Sequence, residues 1–92
     1  MAELQDYLAN DCKVYVEVNE DHKPDGRILP RSFIWEDGRR YRVDRILDVR
    51  PAASLKAGGV GLRYTVVACN RETYMFLEED HDVRRWFMER KA

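Results

Sequence analysis

Cysteine and histidine are scarce in this sequence, with two of each among 92 residues. Cys12 and Cys69 are too few for a disulfide framework and are not spaced as a zinc-binding pair, so we expect free, buried thiols. His22 and His81 lie in separate acidic turns, where histidine is typically a surface residue. Because no nucleophile and base are paired by their spacing, we predict a protein without an enzymatic site, a metal or a cofactor.

Long apolar runs are also absent, since none approaches the roughly 20 residues that cross a bilayer. The N-terminal segment MAELQDYLAND has neither the basic start nor the apolar stretch of a signal peptide. We therefore expect a cytoplasmic protein that does not contact a membrane. Hydrophobic residues make up 45% and charged residues 36% of the chain, which is typical of a single folded domain over residues 1–92.

Short segments in which apolar and polar residues alternate run through most of the chain and predict β-strands. Residues 1–11 are the exception, because Leu4, Tyr7 and Leu8 have the spacing of one face of a short helix. We predict a mainly β fold with this N-terminal helix as an extension. The expected architecture is a small antiparallel barrel or strongly bent sheet of five or six strands, with SH3-like or OB-like closure.

The segment SFIWEDGRRYRV predicts the clearest hairpin. A two-residue turn would mix large apolar residues with arginines on one face of the sheet. A three-residue loop over residues 36–38 instead pairs Phe33 with Tyr41 and places Trp35 on the same face as both. We therefore predict the three-residue loop, with Gly38 in the left-handed conformation and the three rings turned inward.

The segments GLRYTVVAC and ETYMFLEE predict a second hairpin, with a two-residue turn at Asn70 and Arg71. Met75 alternates with Tyr74 and Phe76, so both faces of this hairpin are partly apolar. This indicates either a covering element or a partner surface. The segment RRWFMER predicts a last strand with Trp86 on one face and Phe87 on the other.

A glycine-rich stretch, SLKAGGVGLR over residues 54–63, raises the question of a phosphate-binding loop. A Walker loop needs its lysine and hydroxyl residue directly after the second glycine, at the start of a helix. Here a strand follows, so the stretch Gly58-Gly59-Val60-Gly61 is better explained as a crossover from a strand that stops at Pro51. A contact of Lys56 and Arg63 with an anion or a partner remains open.

Charge is unevenly distributed: residues 1–26 carry a net charge of −5, whereas residues 27–63 carry nine basic and four acidic residues, a net +5. Arginines interleaved with aromatic residues are typical of small barrels that bind single-stranded nucleic acid, although a pI near 6.1 is low for such a protein. The candidate contact residues for an anion or partner are Arg39, Arg40, Arg42, Arg50, Lys56 and Arg63.

We therefore predict a non-enzymatic binding module for nucleic acid or another anionic partner. The alternative is a protein-interaction or self-associating β domain, and the expected state is a monomer or weak homodimer.

The run from Pro30 to Leu77, together with the later segment WFMER, resembles a family of short uncharacterised bacterial proteins. Their shared pattern is an F-x-W-x-D-G-R-x-Y-x-V hairpin, a glycine-rich loop, an R-Y strand and a C-terminal W-F. The resemblance covers roughly 60% of the chain. It implies a bacterial protein of this family, without an activity that could be transferred to it.

Overall fold

The computed structural model describes residues 13–52, 60–80 and 82–90, which form seven β-strands and no helix. Neighbouring strands pair in antiparallel fashion in one sheet of order β3-β2-β1-β7-β6-β5-β4. The strands are β1 (Lys13–His22), β2 (Ile28–Ile34), β3 (Arg40–Arg42), β4 (Arg45–Ala52), β5 (Val60–Ala68), β6 (Arg71–Asp80) and β7 (Val83–Glu89).

The mainly β prediction is confirmed, with seven strands in place of five or six. The predicted helix over residues 1–11 lies outside the described residues. Within the described ranges, no helix is long and apolar enough to cross a membrane.

The chain after Gly38 forms two strands, which are separated by a corner. β3 and β4 are consecutive in the chain but lie at opposite edges of the sheet, joined only by Val43 and Asp44. The Val43 N–H donates to the Arg31 carbonyl of β2, and the Asp44 N–H donates to the Val67 carbonyl of β5, both at 2.8 Å. Because two residues connect the two edges, the sheet curls into a half-barrel whose edges meet at this corner.

The β2–β3 hairpin has the predicted three-residue loop. Phe33 pairs with Tyr41, and the two rings stack with centroids 5.6 Å apart. Gly38 has a φ of 81°, a conformation that L side chains rarely adopt, and its N–H donates to the Trp35 carbonyl. Phe33 is buried, while Trp35 and Tyr41 are half-buried and pack against the core, so the predicted inward face is confirmed.

The β5–β6 hairpin differs from its prediction in the turn but not in its faces. Ala68 pairs with Arg71, so the turn residues are Cys69 and Asn70, with φ values of 52° and 60°. Two positive φ values are typical of a type I′ turn, whose twist suits a hairpin. The register moves by two residues relative to the prediction, which leaves every side chain on its predicted face. Cys69 is consequently exposed, and the expectation that it is buried was wrong.

Pro51 does not end its strand as predicted. It lies within β4, opposite Leu62 of β5. β4 is an edge strand, and a proline there can direct its missing N–H away from the sheet. The chain therefore remains extended through Ala52. Of the predicted crossover Gly58-Gly59-Val60-Gly61, the last two residues belong to β5, which corrects the prediction there, and the first two lie outside the described residues.

The concave face of the half-barrel holds the core. Its buried residues come from β2, β5, β6, β7 and the corner: Phe33, Val43, Tyr64, Val66, Ala68, Met75, Leu77, Trp86 and Met88. Tyr64 is the largest fully buried side chain, and its hydroxyl donates to the Ile28 carbonyl. This hydrogen bond joins β5 to β2 across the interior and satisfies a polar group that would be costly to bury alone.

β1 changes partners halfway along its length, which opens a seam in the sheet. Its residues up to Val16 pair with β7, and those from Glu17 onward pair with β2. Glu20 bridges the seam, because its carboxylate accepts hydrogen bonds from the Trp86 indole and the Arg84 guanidinium of β7. Burial acts to raise the pKa of Glu20, but hydrogen bonds from Arg84, Trp86 and His22 outweigh it and lower the pKa from 4.5 to about 2.

Glu20→Gln is expected to destabilise the fold at pH 7 and to cost little near pH 2. A depressed carboxyl pKa stabilises the folded state above pH 4.5, and this contribution is lost as the pH falls toward 2. We expect a loss of about 1–3 kcal/mol in the free energy of unfolding at pH 7, measured by urea denaturation. Glu17→Gln, at an exposed position of the same strand, is the control. An equal loss at both pH values would contradict the ionic role of Glu20.

Cys69→Asn is expected to stabilise the protein, because asparagine tolerates the left-handed conformation that Cys69 adopts. We expect a gain of about 0.5–1 kcal/mol in the free energy of unfolding, measured by urea denaturation. Cys69→Ser removes the same thiol without this conformational preference and serves as the matched control. If both variants show the same gain, the turn conformation is not the cause.

Candidate functional site

Four aromatic side chains form a continuous row on the convex face of the sheet. The ring centroids are 5.9 Å apart between Tyr15 and Phe87, 4.8 Å between Phe87 and Phe76, and 6.4 Å between Phe76 and Tyr74. We call these four residues the outer aromatic row. Tyr15 and Tyr74, at its two ends, are 45% and 43% exposed.

Strand register explains why these rings meet. Each one alternates along its strand with residues that face the core, so it points outward. Tyr15 of β1 is the direct cross-strand partner of Phe87 in β7, and Phe87 is the direct partner of Phe76 in β6. Tyr74 lies two residues before Phe76 on the same face. Three adjacent strands thus contribute to one line of rings.

The rings are arranged differently within the row. Phe76 and Phe87 are nearly parallel, with an interplanar angle of 4°, so each covers one face of the other. The terminal tyrosines are inclined to their neighbours by 67° at Tyr15 and 63° at Tyr74. The exposed surface of the row is therefore concentrated at its two ends.

Cationic side chains surround the row. The Arg63 guanidinium lies 4.7 Å from the centre of the Tyr74 ring, and the Arg85 guanidinium lies 4.6 Å from that of Tyr15. The Lys13 ammonium lies 4.3 Å from the centre of the Phe87 ring. These distances are in the range of cation–π contacts.

These three cations differ in whether they form ion pairs with described residues. Arg85 forms an ion pair with Glu78 at 3.7 Å, whereas Lys13 and Arg63 form no ion pair with any described residue. The Arg63 Nε is also buried without a hydrogen-bond partner among the described residues.

The six predicted contact residues fall into separate groups. Arg50 and Arg63 are direct cross-strand partners in β4 and β5, although Arg50 also pairs with Asp48 at 2.6 Å. The hairpin arginines are exposed at the β3 edge, where Arg40 donates to the Ser32 hydroxyl at 3.0 Å. Lys56 lies outside the described residues, as do Gly58 and Gly59. The hairpin group comprises Arg39, Arg40 and Arg42.

Alternation along the sequence places Tyr74 and Phe76 together on the face opposite Met75, but it does not predict the rest of the row. Local alternation separates Tyr15 from Val14 and Val16, and Phe87 from Trp86, but nothing local indicates that the two strands are neighbours. Lys13 and Arg85 were missed for the same reason. The alternation within each strand was the available signal, and the order of the strands was the missing information.

A groove of about 490 Å³ opens at the seam beside one end of the row. Tyr15 and Arg85 line it together with Glu20, Arg84 and Trp86. Arg84 and Trp86 both donate hydrogen bonds to the Glu20 carboxylate, which joins β7 to β1 along the groove. The groove extends the surface next to Tyr15.

The histidines and acidic residues do not form a metal site in the part of the chain that the structure describes, where no group of three potential ligands occurs. His22 is exposed, and its Nε2 lies 2.9 Å from Glu20. His81 and Cys12 fall outside the described ranges.

No family model, curated protein or solved structure matches this chain. The resemblance of residues 30–77 to a family of short bacterial proteins therefore stays a prediction.

Proposed function

We propose that this protein is a non-enzymatic binding module that holds single-stranded nucleic acid on the outer aromatic row. The observation that carries the proposal is the line of Tyr15, Phe87, Phe76 and Tyr74 with cations at its ends and centre. Aromatic residues stack on bases of any sequence, and neighbouring cations attract the phosphates. An open sheet face presents both groups to an extended strand.

The terminal tyrosines are the proposed stacking positions. Phe76 and Phe87 cover each other, whereas Tyr15 and Tyr74 are the most exposed rings of the row. Arg85 and Arg63 lie over these tyrosines and add planar guanidinium groups on which a base can also stack. The row therefore supports about two bases, one at each end.

The charge of the whole protein limits the affinity that this surface can supply. A net charge of −1 and a pI near 6.1 provide little long-range attraction for a polyanion. Binding by three local cations corresponds to a slope of about −2 in a plot of log affinity against log salt concentration. We infer weak, salt-sensitive binding without base specificity.

The finer predictions from the sequence belong to the same proposal. They are SH3-like or OB-like closure of the half-barrel, a helix over residues 1–11, a cytoplasmic location and membership of the bacterial family. SH3-like and OB-like barrels frequently present one open sheet face to their ligands, which is consistent with the placement of the row.

Tyr74→Ala is expected to weaken binding of a fluorescent 12-nucleotide oligothymidylate about tenfold, because it removes a stacking platform. Fluorescence anisotropy at low salt measures the affinity. Tyr74→Phe retains the ring and serves as the matched control, with affinity near that of the unmodified protein. Absence of binding at low salt, or equal affinities of the two variants, would contradict the proposal.

Arg63→Gln is expected to reduce the magnitude of the salt slope by about 0.7, since one phosphate contact is lost. The measurement is oligothymidylate affinity at several salt concentrations. Arg27→Gln is the control, because Arg27 is exposed in the β1–β2 turn and pairs with Asp25. The paired variant Arg40→Gln/Arg42→Gln tests the hairpin arginines. A larger change in slope there than at Arg63 would move the contact surface to the β3 edge and overturn the assignment to the row.

A further inference from the structure

The two edges of the sheet differ in how well they are protected against pairing with another strand. β3 has only three residues, and two of them are the exposed Arg40 and Arg42. The exposed Arg39 directly precedes this strand. Short length and charge are the devices by which proteins block an edge. β4 has eight residues and pairs with β5 on one side only, with no partner on its other side among the described residues.

β4 also exposes two aliphatic side chains at this edge. Leu47 is 47% exposed and Val49 is 43% exposed. The ladder with β5 has an irregularity between Ile46 and Asp48, and Pro51 lacks an N–H donor. These two features confine any additional pairing to the short segment around Val49.

The sequence of this segment is complementary to itself in one antiparallel register. With Val49 opposite its own copy, Asp48 of each chain faces Arg50 of the other. A shift by two residues in either direction places Asp48 opposite Asp48 or Arg50 opposite Arg50, and like charges directly opposite are destabilising. A shift by one residue pairs a residue that points to the convex face with one that points to the concave face. The two copies could then not form one sheet with a common convex face.

We propose that the chain forms a two-fold symmetric homodimer in which β4 pairs with β4 of a second copy, with Val49 at the axis. The two exposed valines then cover each other, and the Asp48–Arg50 pair within each chain becomes part of a four-charge cluster. Pro51 of each copy lies opposite Leu47 of the other copy, at the end of the ladder between the two β4 strands. The N–H that proline lacks therefore interrupts no hydrogen bond in the centre of this ladder.

This arrangement extends the candidate site without depending on it. The two-fold axis is normal to the sheet, so both outer aromatic rows lie on the same side of one continuous sheet. Arg50 and Arg63, which are cross-strand partners, come close to the axis in both copies. Dimerisation is measured without nucleic acid, so it can succeed or fail separately from the binding proposed above.

Sedimentation equilibrium over about 1 µM to about 1 mM protein tests the dimer. We expect the mean mass to rise with concentration from that of one chain toward that of two. Asp48→Arg is expected to weaken association about tenfold, because it places like charges opposite Arg50 twice. The exchange Asp48→Arg/Arg50→Asp restores the complementary pairs and should restore association. A monomer at every concentration, or unchanged association in Asp48→Arg, would overturn the proposal.

A cross-linking experiment fixes the register. In a background with Cys12→Ser and Cys69→Ser, Val49→Cys is expected to form an intermolecular disulfide under mild oxidation, since directly opposite residues have nearby Cβ atoms. Val83→Cys is the matched control, because Val83 is also an exposed valine but lies in β7. Equal cross-linking rates of the two variants would show that β4 does not pair in this register.

Discussion

The two-residue connection between β3 and β4 is the constraint on which the architecture depends. Strands at opposite edges of a seven-stranded sheet can be joined by Val43 and Asp44 only if the sheet curls until its edges meet. Curling creates a concave face that buries the core around Tyr64 and Met75, and it leaves a convex face without a covering layer in the described chain. The open convex face is where the candidate site lies.

Glu20 completes this architecture at the point where the sheet opens. β1 must leave β7 to follow β2, and the resulting seam would separate the two parts of the sheet. A carboxylate that accepts hydrogen bonds from Arg84 and Trp86 connects them again. The same hydrogen bonds outweigh the effect of burial, lower the pKa of Glu20 and explain how a partly buried charge is tolerated.

The outer aromatic row and the β4 edge are consequences of the same open sheet. Aromatic residues on the convex face remain partly exposed to water. The free-energy cost of this exposure is small when the rings pack against one another, as those of Phe76 and Phe87 do. An unpaired edge exposes backbone groups as well as side chains, and Val49 lies at such an edge. Both surfaces therefore leave apolar side chains exposed that the described chain does not cover.

The sequence by itself determined the mainly β character, the β2–β3 loop with its left-handed Gly38 and the inner and outer faces of the β2–β3 and β5–β6 hairpins. These features follow from local alternation and turn chemistry, and even the wrong turn at Asn70 and Arg71 kept every face correct because the error was two residues. Only the tertiary structure decided the order of the strands, the corner at Val43 and the contact of Tyr15 with Phe87. Those depend on pairing between segments far apart in the chain, which leaves no periodic pattern in the sequence.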